Sequence, residues 1–268
     1  MSSASVEGLQ VALAGGVLRL TLDRPAQRNA IDDTVMQGLI DAIDGAGRDE
    51  AVRAILLTGT GDHFCSGADI VARNTPTGDR PRVGSIQRRL PSGAHRLIPL
   101  VCSVQVPLVC AVRGHVAGLG LHLVAAADFT VAAEDAVLWE PFSRRGFTPD
   151  SGGTWLLPRR VGMARARELL LLGRRLTGIE AAEWQLVHRA VPGPEVDATA
   201  ATLAAELAAG ATVTLGLTKW LLHQSGAQPL EAHLADEAYA LELSSRSEDF
   251  REGLSAFKDK RDPKFRGR

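Results

Sequence analysis

The stretch AGLGLHLVAAADF, from Ala117 to Phe129, decides the fold of this chain. Its glycines predict a tight turn, and the apolar run that follows predicts the first turns of a buried helix. One histidine, His122, interrupts that run. Such a histidine is either a base, because imidazole titrates near neutral pH, or a structural donor to a carbonyl group. The stretch alone leaves both roles open.

Strand and helix patterns alternate on both sides of this stretch. The predicted strands are Val17–Leu22, Ala54–Thr58, Leu108–Val112 and Phe129–Ala132. Between the first two, residues 32–47 carry apolar side chains at helical spacing, with Asp32 or Asp33 placed to cap the helix. Strands that alternate with helices predict an α/β fold in which helices cover a sheet.

The pattern changes in the last third of the chain. Thr177 and Glu180 form a predicted capping box, in which each side chain satisfies a free backbone donor. Beyond Pro194 the segments are predicted to be helical only. We therefore expect an α/β core over residues 1–200 and a helical region over residues 201–268. The broad apolar faces of that region indicate packing between subunits.

Composition limits the class of protein. Of 268 residues, 45% are apolar and 23% are charged, and the formal net charge is −1. This is a globular composition, and it gives no bulk electrostatic reason to expect nucleic acid as a partner. No apolar run reaches the roughly 18 residues of a membrane span. MSSASVEGLQ lacks the basic and apolar regions of a signal peptide, so a cytoplasmic location is expected.

The cysteine content carries a second expectation. The three cysteines are Cys65, Cys102 and Cys110, an odd number without CxxC spacing. This pattern predicts neither a disulfide framework nor a metal site. Cys65 is predicted to pack rather than to react.

A second glycine-rich turn lies in GTGDHFCSGADI, residues 59–70. A strand ends there, and Gly67 brings backbone N–H groups to the surface. The first turn, at Gly118, leads into the N-terminus of a helix, which offers oriented N–H donors. Two such turns that converge on one point would form a socket for an oxyanion, which is where acyl-group chemistry develops charge.

Several motifs in this order resemble the enoyl-CoA hydratase/isomerase (crotonase) superfamily. They are RPAQRNAI, HFCSGADI, PLVCAVRGHVAGLGLHLVAAADF, GFTPDSGGTWLLPRRVG and SEDFREGLSAFKDKRDPKF, and together they cover essentially the whole chain. The resemblance implies a spiral of ββα units with a helical C-terminal region that packs trimers, often paired as hexamers. It also implies an acyl-CoA substrate, in which coenzyme A is part of the substrate and no further cofactor is needed.

The resemblance also implies a set of site residues. The thioester oxygen would lie between the backbone N–H groups of Ala68 and Leu119, where Leu119 replaces a glycine of the family. A backbone donor survives that replacement, because the side chain does not supply it. Coenzyme A would contact a set of residues from three parts of the chain: Ala26, Gln27, Arg28, Ser66, Ala68, Asp69, Ile70, Phe257 and Lys260.

The main departure concerns the two glutamates with which hydratases of the family add water. By comparison of motifs, His122 and Phe142 occupy their positions. Glu140 is two residues from Phe142 and on a strand would share its face, so it is a possible replacement. Asp150 is the better candidate, because some isomerase-like and dehalogenase-like members carry an aspartate there. The alternative for Asp150 is a simple turn residue.

We therefore expect an enzyme that isomerises an enoyl-CoA double bond, with Asp150 as the proton shuttle. One alternative is a hydratase that uses Glu140 or His122. Another is a protein that binds acyl-CoA without turnover. A fourth reading follows the dehalogenase branch, in which His95 would act as a base beside Asp150 as nucleophile or in thioester hydrolysis.

Overall fold

A computed structural model describes residues 4–69 and 82–268. The expected coenzyme contact at Ile70 lies outside the described residues. The strands, in chain order, are β1 (Leu9–Ala14), β2 (Val17–Leu22), β3 (Ala54–Gly59), β4 (Leu108–Val112), β5 (His115–Ala117), β6 (Phe129–Ala133), β7 (Val137–Trp139), β8 (Arg175–Leu176) and β9 (Arg189–Val191).

The helices follow the same chain order. They are α1 (Asp33–Ala46), α2 (Ser85–Arg89), α3 (Ala94–Ser103), α4 (Leu119–Ala126), α5 (Phe142–Arg145), α6 (Gly153–Leu172), α7 (Gly178–Glu183), α8 (Val196–Ala209), α9 (Thr212–Gln224), α10 (Leu230–Ser244) and α11 (Glu248–Asp259). The α/β prediction is confirmed. Asp32 caps α1 and the capping box of Thr177 and Glu180 is formed.

Within the described residues, six strands form one sheet in the order β1-β2-β3-β4-β6-β9. β1 is antiparallel to β2, and every later neighbour is parallel. β3 and β4 are buried along their whole length, which is why both read as continuous apolar runs. A parallel sheet brings the carboxyl ends of its strands to one edge, and the turn after β3 therefore lies near the segment after β4.

That segment is β5, which belongs to a three-stranded sheet of the described chain in the order β5-β7-β8. Its partner β7 pairs with it in parallel, and Ala117 is opposite Trp139. β5 thus leads the chain away from the main sheet and into the Gly118 turn. α4 follows, and it packs between α3 and α6.

The C-terminal part begins on the sheet and then leaves it. α8 packs across β3, β4 and β6 with Ala200 and Ala204 in the core, so the expected division near residue 200 falls within this helix. The later helices expose a series of large apolar side chains: Leu222, Leu230, Leu234, Tyr239, Leu241, Leu243, Phe250, Leu254 and Phe257.

No single helix among the described residues has both the length and the apolarity of a membrane span. The pair Gly193–Ala209 and Thr212–Gln224, bent by 108°, meets these two criteria only when the two are taken together, by length and composition.

Candidate active site

The turns after β3 and β5 are in direct contact. Cys65 forms an isolated parallel bridge with Val116, and the Ala117 N–H donates to the Cys65 carbonyl at 3.0 Å. Gly67 has φ +102°, and a methyl group on it would lie 2.9 Å from the Ala117 oxygen and 3.6 Å from the Leu119 nitrogen. Only glycine permits this conformation and this approach without strain.

The backbone around Ala68 explains where its N–H group points. Ile31 donates to the Gly67 carbonyl and accepts from the Asp69 N–H, both at 2.9 Å. In a parallel bridge of this kind, the N–H of the residue between those two faces away from the partner strand. The Ala68 amide therefore points away from Ile31.

The Leu119 amide is free for a different reason. Leu119 is the first residue of α4, and the first N–H groups of a helix have no acceptor within it. In the described part of the chain, neither this amide nor that of Ala68 has a hydrogen-bond acceptor. Two unpaired donors thus lie on turns that touch each other.

Cys65 supports the turn at Gly67. Its sulfur accepts a hydrogen bond from the Gly67 N–H at 3.4 Å. Burial raises the pKa of the Cys65 thiol to about 12, so the thiolate is scarce at neutral pH. The prediction that Cys65 packs rather than reacts agrees with this environment.

His122 lies one helical turn beyond Leu119 and is fully buried. Its Nδ1 is 2.6 Å from the Ser151 hydroxyl oxygen, and its Nε2 is 3.0 Å from Oε1 of Glu140. Gly153 provides the space, because a methyl group there would lie 2.2 Å from Nε2. The polar partners of the imidazole are therefore two side chains, and neither is the carbonyl group of the structural-donor alternative.

Ser151 connects His122 to Asp150. The Ser151 hydroxyl, itself buried, donates to Oδ1 of Asp150 at 3.2 Å. Asp150 is partly exposed. Four side chains thus form a continuous series from the surface to the interior: Asp150, Ser151, His122 and Glu140.

Glu140 is the buried end of this series. Its side chain is fully buried, and neither carboxyl oxygen has an aligned hydrogen bond within the described chain, although Oε1 closely approaches Nε2 of His122. Burial raises the pKa of Glu140, and the neighbouring His122 only partly opposes this effect. A protonated, uncharged carboxyl group is the form that this environment favours.

The expected geometry of Glu140 and Phe142 on one strand is wrong. β7 ends at Trp139, and Phe142 begins α5 after Pro141. Both side chains nevertheless reach His122: the Phe142 ring stacks on the imidazole with centroids 5.8 Å apart. The same ring lies beside Gly118 and meets Phe147 edge to face at 5.3 Å.

His95 contacts the backbone of Asp150 rather than its carboxylate. Its Nε2 is 2.8 Å from the Asp150 carbonyl oxygen, which can only accept, so this nitrogen is the donor. The structure therefore does not bring Nε2 of His95 to the carboxylate in the arrangement that a base beside a nucleophile needs. His95 fixes the backbone of the turn that carries Asp150.

The residues expected to contact coenzyme A fall into two groups. Ala26, Gln27 and Arg28 are exposed, and Ser66 donates from Oγ to the Gln27 carbonyl at 3.2 Å and from its N–H to the Arg28 carbonyl at 3.0 Å. The structure thus brings these residues to one surface. Asp69 lies beneath it, where its carboxylate is 3.1 Å from the Arg24 guanidinium.

Phe257 and Lys260 form the second group, at the end of α11. Phe257 is 86% exposed, and Lys260 adopts a left-handed conformation with φ 52°. In the described residues, no hydrogen bond or ring contact joins either side chain to the surface around Ser66. Their expected contact with coenzyme A stays a prediction.

Sequence reasoning singled out Asp150, His122 and Glu140 separately but missed Ser151. The sequence signal that could have identified Ser151 consists of two nearby residues, the aspartate directly before it and Gly153 two positions after it. Gly153 makes room for the imidazole of His122, 31 residues earlier in the sequence.

Fold and sequence together define the class of this protein. The family model for enoyl-CoA hydratase/isomerase matches residues 13–268, and the chain belongs to this family. It is 39% identical over 259 residues to 1,2-epoxyphenylacetyl-CoA isomerase of Escherichia coli, covering 94% of this chain and 96% of the relative. It is 32% identical to 2,3-dehydroadipyl-CoA hydratase of the same organism, with the same coverage.

The architecture agrees with solved structures of the family. The crystal structure of enoyl-CoA hydratase from Bacillus anthracis aligns with a TM-score of 0.90 at 30% identity, over 97% of this chain and all of that chain. The crotonase-like α/β fold is therefore confirmed, and the chain is an acyl-CoA-processing member of a family of isomerases and hydratases.

The burial of Glu140 predicts a dependence of stability on pH. A carboxyl group whose pKa is raised in the folded state stabilises the fold at low pH, and this contribution is lost as the pH rises from the ordinary value of 4.5 through the folded value. We expect Glu140→Gln to remove this loss. As the pH rises, the free energy of unfolding of wild type should fall relative to that of the variant, by up to about 1.4 kcal/mol per pH unit.

Urea unfolding of both proteins between about pH 5 and pH 8 measures this difference. The exposed Glu134→Gln is the matched control. Parallel stability curves for wild type and Glu140→Gln across this range would contradict the assignment of a raised pKa to Glu140.

Proposed function

We propose that this chain isomerises the double bond of an enoyl-CoA by a proton shift through Asp150. In this mechanism the Asp150 carboxylate removes a proton from the carbon α or γ to the thioester and returns it to the other carbon. The thioester oxygen becomes an enolate oxygen in between. The backbone N–H groups of Ala68 and Leu119 stabilise its charge, each by a few kcal/mol.

The observation that carries this proposal is the difference in burial between Asp150 at one end of the series of four side chains and His122 and Glu140 at the other. Asp150 has exposed surface, whereas His122 and Glu140 have none. A group that takes a proton from a bound substrate must reach it. Activation of water beside the substrate by His122 or Glu140, as the hydratase alternative requires, is therefore less well supported.

A second candidate substrate carries an aromatic acyl group. The Phe142 and Phe147 rings meet beside Gly118, and Phe147 is 41% exposed, so an aromatic surface borders the turn that carries Leu119. Such a surface favours a ring over an extended chain. The Escherichia coli relative is named as an isomerase of 1,2-epoxyphenylacetyl-CoA, so this thioester belongs in the substrate panel.

The surface of Gln27, Arg28 and Ser66 would hold the coenzyme, and Phe257 and Lys260 would contribute to its nucleotide end. A lysine that faces a phosphate is chemically suited to this task. No further cofactor enters the proposal.

Replacement of Asp150 tests the shuttle. We expect Asp150→Asn to lower kcat for interconversion of 3-enoyl-CoA and 2-enoyl-CoA at least about a hundredfold, because asparagine cannot carry the proton. The exposed Asp135→Asn is the control. Rapid addition of water to a 2-enoyl-CoA that is insensitive to Asp150→Asn would refute the mechanism.

Replacement of Gly67 tests the pair of amides. We expect Gly67→Ala to lower kcat/KM by about a hundredfold, the typical effect of losing one oxyanion donor, because the added methyl group pushes the two turns apart. Gly45→Ala in α1, where the methyl group meets nothing within 4 Å, is the control. Wild-type kcat/KM in a folded Gly67→Ala variant would argue against the shared socket.

Assembly into trimers or hexamers is part of the proposal. The apolar side chains exposed on α9, α10 and α11 support it, because many large apolar side chains exposed on successive helices are typical of an interface. We expect a molar mass of three or six chains by light scattering. Double replacement of Leu234 and Leu241 by serine should shift the mass toward one chain, and a monomeric wild type would contradict the proposal.

A further inference from the structure

Asp150, Ser151 and His122 form a hydrogen-bonding series with a definite direction, and Glu140 lies at its inner end, where Oε1 closely approaches His122. Asp150 as a carboxylate only accepts, so the Ser151 hydroxyl proton points to it. That hydroxyl has a single proton. The 2.6 Å contact between Ser151 Oγ and His122 Nδ1 must therefore use a proton on Nδ1.

The same accounting reaches Glu140. With Nδ1 protonated, a neutral imidazole presents a bare Nε2 to Oε1 of Glu140 at 3.0 Å. Two bare acceptors would repel each other there, so one proton has to lie between them. Because burial raises the pKa of Glu140 and no water-exposed surface reaches it, the carboxyl group is the holder of that proton.

We propose that Glu140, His122 and Ser151 are positioning residues that form a donor chain directed outward at Asp150. Glu140 donates to Nε2, Nδ1 donates to Ser151, and Ser151 donates to the carboxylate. The chain holds Asp150 as an oriented base for the proton shift, and in this respect it rests on the proposed function. Within the chain all protons stay on their groups while Asp150 works.

Loss of one proton from the buried side chains reverses the direction of the hydrogen bonds in the donor chain. Glu140 as a carboxylate accepts from a proton on Nε2, and a bare Nδ1 then takes the Ser151 hydroxyl as its donor. One proton has left for solvent, and Ser151 has none to offer to Asp150. Activity should therefore decline on the alkaline side when Glu140 ionises.

The surroundings of the chain contain few other charges. The Phe142 ring stacks on the imidazole and Gly153 packs against Nε2, so the Glu140 end of the donor chain is shielded from solvent. Two places around the donor chain carry titratable or charged groups of the described residues. His95 of α3 is bonded to the Asp150 carbonyl, and Arg145 and Arg175 lie over the Trp139 ring next to Glu140.

The pH dependence of kcat tests the chain. In Ser151→Ala we expect kcat to fall on the order of tenfold to a hundredfold and KM to change by less than about twofold. The acid limb of the profile of kcat against pH should move to higher pH, because the Asp150 carboxylate has lost a donor. Ser151→Thr keeps the hydroxyl and should restore most of the loss. In Glu140→Gln, whose amide still donates to Nε2, the acid limb should stay and the alkaline limb should disappear.

Thr58→Val is the control: it removes a buried hydroxyl that donates to the Ala111 carbonyl and lies far from Asp150 in the sequence. This variant should leave both limbs of the pH profile in place. If Ser151→Ala kept the wild-type kcat and acid limb, the donor chain would be overturned. Retention of the alkaline limb in Glu140→Gln would equally overturn the role given to Glu140.

Nitrogen-15 NMR of labelled histidine gives a readout that does not need turnover. We expect His122 to carry its proton on Nδ1 with Nε2 bare near neutral pH, and Ser151→Ala to alter the Nδ1 signal. An imidazolium with both nitrogens protonated would contradict the chain. If instead Asp150→Asn kept full activity while the NMR pattern held, the proposed function would fail and the donor chain would survive.

Discussion

The structure depends on the contact between two turns that leave the sheet at the same edge. Parallel pairing of β3 and β4 brings the segments after them together, and the bridge between Cys65 and Val116 joins them. Gly67 allows the backbones to meet, with a would-be methyl group only 2.9 Å from the Ala117 oxygen. Because of this arrangement, two N–H groups have no acceptor among the described residues. One lies between two bonded positions of a bridge, and the other begins a helix.

A buried polar cluster adjoins this contact. An isolated charge in such a place costs several kcal/mol, and the cluster reduces that cost by keeping Glu140 in its protonated form. Residues of the cluster come from α4, the end of β7 and the turn before α6, so its geometry requires that all three pack correctly.

The C-terminal helices divide between two tasks. α8 belongs to the core and covers the sheet, whereas the later helices expose apolar side chains that the chain itself does not cover. Asp249 ties the chain end to α11, because its carboxylate accepts from the N–H groups of Arg266 and Gly267. These bonds fix the last residues of the chain against α11.

Periodicity and motif order were enough to determine four strands of the main sheet, the first helix, the capping box and the family, because those features depend on residues close in sequence. Asp150 was also identified, from its place in a motif. Only the tertiary structure decided how the site is connected. The links from Ser151 to His122 and from His122 to Glu140 span 29 and 18 residues, and no local pattern encodes which side-chain atoms meet over such separations. Packing decides that, since rotamers and burial are fixed only when the helices close on each other.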